Sequence, residues 1–187
     1  MHLCLFTLLS EAQEILDDSN KGMIYSTEFC FGTGVGNVRI DNSILDANYE
    51  RTYGLKFLAT YKFVSNLAVG GTAIYDYYSD SGFLLLGPDV RYFTSSADFS
   101  PFVSANLGYA ISVGDDNRSG GFYYYPSAGV KIDIDRKVDL LLSLGYKRQR
   151  FSEENVDIVD IDGLETTVQK KDDFSVGFLV ISAGIMF

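Results

Sequence analysis

The sequence lacks tryptophan and contains three prolines, two cysteines and a single histidine. The two cysteines, Cys4 and Cys30, have no zinc-ligand spacing and form no disulfide framework. No apolar run approaches the roughly 20 residues that a membrane helix needs. The chain has 15 basic and 25 acidic residues, so the basic residues are too few to form a basic face. We therefore expect no nucleic-acid partner.

Aromatic residues and glycine are abundant, with 14 Phe, 13 Tyr and 18 Gly in 187 residues. This combination favours β-strands and tight turns. The length suits one domain with a sizeable core.

The N-terminal segment reads as the remnant of a secretion signal. The apolar run 3–9 precedes Ser10-Glu11-Ala12, a small-residue pattern that suits cleavage before Gln13. The alternative is a short buried strand or helix. We expect residues 1–12 to be this remnant, 13–21 to be a flexible leader, and 22–187 to be the folded domain.

The C-terminal stretch 173–187 shows a period of two from Leu179 to Phe187. Counting back in steps of two from Phe187 gives an apolar face, and the opposite face is mixed and carries small residues. Period two predicts a strand. Its apolar face suits a strand that closes a barrel in lipid.

Seven further segments follow the same rule, with Leu, Val, Ile, Ala, Phe and Tyr on one face and Gly, Ser, Thr and charge on the other. They span 23–36, 49–64, 67–78, 83–94, 101–113, 122–134 and a stretch from residue 138 onward. Eight strands in phase predict an all-β fold, an eight-stranded antiparallel up-and-down transmembrane β-barrel.

A soluble eight-stranded barrel such as a lipocalin would turn the apolar face inward. The polar face argues for the opposite arrangement, because it is rich in small residues and its charges balance, as a narrow buried interior requires. We therefore predict a barrel-interior charge network of Glu28, Lys56, Lys62, Asp76, Asp89, Arg91, Lys131, Asp133, Asp139 and Lys147.

The links between segments alternate between short and long. Short or medium links fall at 65–66, 95–100 and 135–137, and longer ones at 37–48, 114–121 and 152–172; the link 79–82 is short where a long one was expected. This alternation is typical of outer-membrane barrels with both termini and the short turns in the periplasm.

With these features the chain resembles small eight-stranded outer-membrane proteins of the OmpA/OmpX/opacity type, the broad "porin family" barrel group. The resemblance covers residues 23–187 and includes the terminal strand ending Gly184-Ile185-Met186-Phe187. It implies a Gram-negative outer membrane. It also implies that Leu179, Ile181, Ile185 and Phe187 form the signal read by the barrel assembly machinery.

The sequence offers little for catalysis. His2, the sole histidine, lies in the presumed signal, which removes histidine-dependent mechanisms. We predict no catalytic residue, no cofactor and no metal site, and a structural or surface-interaction role. The alternative function is a small-solute or ion channel, although eight strands leave an interior that side chains fill.

The acidic stretch 152–172 predicts a hairpin that projects beyond the membrane. Its residues Asp157, Asp160, Asp162 and Glu165 are candidates for partner binding, and the competing interpretation is a loop kept soluble by charge. Arg148 and Arg150 lie outward near its base, where they could contact lipopolysaccharide phosphates. We expect a monomer.

Overall fold

The computed structural model describes residues 22–35, 37–40, 43–46, 50–78, 81–94, 98–114, 118–135, 138–161 and 164–187. For 37–40, 43–46, 153–161 and 164–172 it describes the backbone alone. The expected signal remnant 1–12 and leader 13–21 lie outside these residues, and so does Asp162. Within the described part of the chain, no helix is long and apolar enough to cross a membrane.

Eight long strands form a closed ring. The strands of the described chain are β1 Gly22–Gly34, β2 Asn37–Ile40, β3 Ser43–Asp46, β4 Arg51–Val64, β5 Leu67–Tyr78, β6 Ser81–Phe93, β7 Phe99–Val113, β8 Arg118–Ser119, β9 Phe122–Asp135, β10 Val138–Ile161 and β11 Leu164–Met186. Each long strand pairs antiparallel with the next, and β11 also pairs with β1. This pairing closes an eight-stranded antiparallel barrel and confirms the predicted fold class.

Alternation along each strand divides outward from inward side chains. Outward positions are large and apolar yet exposed, as in Phe29 at 72% and Ile181 at 61%. Inward positions include buried charged groups such as Glu28 and Lys56, each 1% exposed. A soluble barrel would reverse this arrangement, so the outward face suits lipid.

The enclosed space, here called the bore, is packed in layers. We call the end where Gly22 and Phe187 lie the terminal end, and the opposite end, where β10 and β11 extend as a hairpin, the ribbon end. Near the terminal end lies an apolar layer of Ala68, Phe93, Phe102, Leu141 and Met186. Toward the ribbon end lies a larger layer of Cys30, Ile74, Tyr78, Phe83, Leu85, Ala110, Tyr123, Tyr125, Phe151, Val176, Phe178 and Val180.

Inward glycines make room for the large inward side chains. A Cβ on Gly145 would lie 2.5 Å from the Tyr125 ring. Real Cβ contacts are not that short, so a larger residue at position 145 would displace the ring. The glycine pattern of the inward face thus reflects dense packing inside the bore.

Two links contain short strands that the sequence did not predict, and several strand ends are shifted by one or two residues. The link between β1 and β4 contains the short hairpin β2–β3, and β2 pairs with β11 at Phe174 and Ser175. The link before β9 contains β8, which pairs with β10 at Ser152 and Glu153. The first strand ends at Gly34 rather than at residue 36.

The expected projecting hairpin is present in the backbone. The β10–β11 register runs without a break from Asp139↔Met186 to Ile161↔Leu164. We call residues 153–172 the ribbon. At the base of the ribbon, β8 pairs with Ser152 and Glu153, and β2 pairs with Phe174 and Ser175. Beyond these contacts the ribbon strands pair only with each other among the described residues.

Candidate functional site

The centre of the bore holds a buried ion cluster around Glu28. Lys56 stands beside Glu28 on the neighbouring strand, with its Nζ 2.6 Å from Glu28 Oε2. Arg91 reaches the other carboxylate oxygen at 3.0 Å. Because β6 is three strands away from β1 around the ring, the Arg91 side chain crosses the bore. Ser182 completes the shell by donating to Glu28 Oε2 at 2.9 Å.

Asp89 extends this cluster on the β6 side. Asn106 donates to Asp89 Oδ2 from the adjacent strand, and Arg91 Nε lies 4.0 Å from Asp89 Oδ1. The Arg91 guanidinium also lies over the Phe102 ring, 4.7 Å from its centroid. The cluster therefore rests directly on the apolar layer of the terminal end. We call Glu28, Lys56, Asp89 and Arg91 the mid-bore cluster.

A second ion pair spans the bore closer to the ribbon end. Lys147 Nζ pairs with Asp76 Oδ2, and both side chains are buried. Their strands β10 and β5 are four positions apart in the ring of eight, so the pair joins opposite walls. Lys147 Nζ also lies 5.2 Å from the Phe178 ring centroid. Aromatic rings and this ion pair thus fill the same level of the bore.

Charge balances inside the bore, because three carboxylates and three cations are buried there. They are Glu28, Asp76, Asp89, Lys56, Arg91 and Lys147. An isolated buried charge costs several kcal/mol, and pairing with additional hydrogen bonds offsets that cost. The arrangement can hold the barrel walls together. Each of the six groups contacts at least one partner, while Asp76 Oδ1 and Asp89 Oδ1 accept no hydrogen bond from the described residues.

The four remaining residues of the predicted network lie at the terminal rim. Lys131 Nζ lies 3.4 Å from Asp139 Oδ1, and their side chains are 15% and 19% exposed. Lys62 is half-buried, and its Nζ lies 5.9 Å from the Phe93 ring centroid. Asp133 follows the inward alternation but is exposed. For Asp133 the interior prediction is corrected, because the strand carries it past the end of the packed bore.

Sequence reasoning missed the aromatic residues inside the bore. Phe83, Tyr123 and Phe178 are fully buried there, and they are part of the ribbon-end layer. The signal was weak because residues 83–86 read Phe-Leu-Leu-Leu, so both faces of that strand are apolar. Small inward residues were the available clue, since Gly145, for example, leaves room for the inward Tyr125 ring.

The outward arginines Arg148 and Arg150 are exposed at the ribbon end of β10. Arg148 Nε donates to Ser175 Oγ at 2.9 Å. Arg118, just before β9, donates to Ser81 Oγ at 2.7 Å and lies over the Phe151 ring. The guanidinium groups of Arg148 and Arg150 are therefore outward, whereas that of Arg118 contacts bore residues at the ribbon end.

The residues predicted to form the assembly signal all face outward, three of them on β11 and Phe187 directly after it. Leu179, Ile181, Ile185 and Phe187 are 42%, 61%, 46% and 59% exposed. For the ribbon candidates Asp157, Asp160 and Glu165 only register is described: Asp157 stands opposite Val168, and Asp160 opposite Glu165.

Other chemistry finds little support in the described residues. There, no group of three or more His, Cys, Asp or Glu side chains could hold a metal ion. Cys30 is a free, buried thiol on an inward position of β1.

No family model matches the chain, and no curated protein matches it. Solved structures that share its fold include the following two proteins of bacteria. Outer membrane protein OprG from Pseudomonas aeruginosa is 12% identical, with a TM-score of 0.50 over 88% of this chain and 95% of OprG. Neisserial surface protein A is 14% identical, with a TM-score of 0.52 over 88% of this chain and 97% of its own.

The chain has the fold of a small outer-membrane β-barrel. At these identities the likeness shows the fold alone. The resemblance drawn from the sequence is therefore confirmed at the level of architecture. Membership of the OmpA/OmpX/opacity-type group stays a prediction.

Proposed function

We propose that this protein is a non-enzymatic barrel of a bacterial outer membrane whose closed bore gives it a structural, envelope-integrity role, with surface contacts made at the ribbon end. The observation that carries the proposal is the filled bore. Two ion contacts cross it, Arg91–Glu28 beside the apolar layer of the terminal end and Lys147–Asp76 at the level of the ribbon-end layer. Ions would have to displace buried salt bridges and aromatic rings to pass.

The outer-membrane location is supported by the outward apolar face and by the fold shared with outer-membrane proteins. We place both termini in the periplasm and the ribbon outside. Short links at the terminal end support this orientation, since outer-membrane barrels keep their short turns in the periplasm. A cysteine introduced for Asp162, which stands between β10 and β11 in the sequence, should then react with a membrane-impermeant maleimide on intact cells.

The absence of enzymatic activity is inferred from how the buried acids and bases are used. Glu28 and Asp76 are held in ion pairs inside the bore, out of reach of a substrate. The one histidine, His2, falls in the segment that we expect to be removed with the signal.

Residues near the two ends of β11 support two further parts of the proposal, which are assembly into the membrane and contact with a surface partner. The outward residues Leu179, Ile181, Ile185 and Phe187 are accessible as a signal for the barrel assembly machinery. The ribbon offers strand edges that a partner strand could extend. Its acidic residues Asp157, Asp160, Asp162 and Glu165 favour a basic partner.

The test is conductance of the purified, folded protein in planar bilayers. We expect no steady unit current at moderate voltage, because the bore is filled with side chains. Preparations are first checked on gels, where a folded barrel migrates differently before and after boiling, and a known open porin serves as the positive control. Steady, large unit currents from the folded protein would contradict this proposal and support the alternative function, a small-solute or ion channel.

A further inference from the structure

A cleft opens on the outward surface at the ribbon end, where β9, β10 and β11 meet. Its volume is about 540 Å³, and its lining includes Phe122, Arg148, Arg150, Asp173 and Phe174. Arg148 and Arg150 occupy successive outward positions of β10. They bring two positive charges close together on a chain whose net charge is −10.

The cleft lies at the height where lipid gives way to headgroups. Outward positions of β10 from Leu140 to Tyr146 are apolar or aromatic, and Arg148 is the next outward position. The Tyr146 ring lies 6.3 Å from the Tyr124 ring, which forms an aromatic step just below the arginines. Aromatic residues of this kind mark the membrane interface. Arg148 and Arg150 therefore stand at headgroup level.

Arg148 is held in place for recognition. Its Nε donates to Ser175 Oγ at 2.9 Å, which leaves the two terminal nitrogens of the guanidinium fork for another acceptor. Arg150 stands opposite Ser175 in the register, so both arginines face the same strand of the cleft. Two adjacent guanidinium groups match the double negative charge of a phosphate monoester.

The rest of the lining favours a sugar over a plain phospholipid headgroup. Asp173 accepts a hydrogen bond from Ser152 Oγ at 2.6 Å, so a carboxylate and two hydroxyl side chains stand beside the arginines. Carboxylates and hydroxyls are suited to sugar hydroxyl groups. The Phe122 ring, which is outward and exposed, adds apolar surface to the same cleft. Phosphate, sugar and acyl chains would each meet a matching surface.

We propose that this cleft binds the phosphorylated sugar headgroup of an outer-leaflet glycolipid, with Arg148 and Arg150 on a phosphate monoester and Asp173 on sugar hydroxyls. This assignment rests on the outer-membrane location proposed above. It adds to that proposal a specific lipid ligand for the outer surface of the barrel.

The experiment measures retention of bisphosphorylated lipid A by the full chain, folded in zwitterionic detergent micelles. The test variant is R148Q/R150Q, and the matched control is R51Q. Arg51 is also exposed at the ribbon end, on β4, but it does not line the cleft. All variants are checked for folding by their gel mobility before boiling. Dephosphorylated lipid A and inorganic phosphate are the comparison ligands.

We expect R148Q/R150Q to bind lipid A about tenfold or more weakly than the parent, the size of effect that loss of one good charged hydrogen bond already gives. R51Q should stay within about twofold of the parent, as for a surface charge outside the site. Dephosphorylated lipid A should bind the parent as weakly as lipid A binds the double variant.

Three results would overturn the assignment. Equal losses in R51Q and R148Q/R150Q would mean general charge attraction. Equal binding of dephosphorylated lipid A would mean attachment through acyl chains alone. Displacement of lipid A by inorganic phosphate at similar concentration would make free phosphate the ligand. Binding in micelles does not depend on a closed bore, so a conducting barrel that still retained lipid A would fail only the proposed function.

Discussion

Inward-facing charges behave differently at the middle of the bore and at its terminal rim. At mid-bore, Glu28 and Lys56 are 1% exposed and 2.6 Å apart. At the rim, Lys131 and Asp139 obey the same alternation but keep 15% and 19% of their side chains exposed. Alternation decides that a side chain points inward. Depth along the strand decides whether its charge must find a partner.

The largest effect is expected when two lysines are removed from the buried bore, and the matched control removes two lysines from the terminal rim. We expect K56M/K147M to yield no stably folded barrel, because it leaves Glu28 with one cation and Asp76 with none; breaking one buried pair costs roughly 3–5 kcal/mol. The matched rim variant K62M/K131M should fold and lose less than about 2 kcal/mol. Urea titration followed by gel mobility before boiling measures both. Equal stability of the two double variants would count against a paired, buried bore.

For Lys147 and Asp76, which join opposite walls of the bore, a second substitution should compensate for the first. K147M alone should lower the free energy of unfolding by roughly 3–5 kcal/mol, since Asp76 stays buried without its cation. In D76L/K147M the buried charge is gone, and most of that loss should be recovered. The double-mutant cycle in urea reports the coupling directly. If the second change adds to the loss instead of reversing it, the two residues are not coupled as the structure indicates.

The smallest effect is expected at the rim. D139N should change the free energy of unfolding by less than about 1 kcal/mol, because an ion pair open to water contributes little. Its effect should shrink further between low and high salt, as screening of exposed charges requires. D76N, measured in the same salt series, serves as the buried control and should keep its larger effect. If D139N had as large an effect as D76N, or an effect that did not change with salt, the distinction between buried and rim charges would be contradicted.

The comparison also shows how far sequence reasoning reached into the candidate site. Six of the ten residues predicted for the interior network are buried in the bore, and Arg91 contacts Glu28 over a separation of 63 residues. The alternation predicted the face of each residue but could not pair them, because partners across the bore depend on strand tilt and register. Asp133 failed as an interior residue for a related reason, since the strand outruns the packed bore.

The cleft at the ribbon end illustrates the same limit on the outer surface. Arg148 and Arg150 could be placed outward from the sequence, since they continue the phase of Tyr146. Ser175 and Asp173 could not be linked to them, because they lie on another strand and join the cleft through the β10–β11 register. The predicted contact with lipid thus became a candidate site only when three strands were brought together.

The sequence by itself determined the all-β class, the eight long strands and the outward face, because period-two alternation places apolar and polar side chains on opposite sides whatever the distant contacts. The tertiary structure alone decided what fills the bore. Closing eight strands brings Phe83, Phe178 and the Lys147–Asp76 pair into one cross-section. In a space so narrow and so densely packed, charged side chains are found where they are paired, and aromatic rings fill much of the rest.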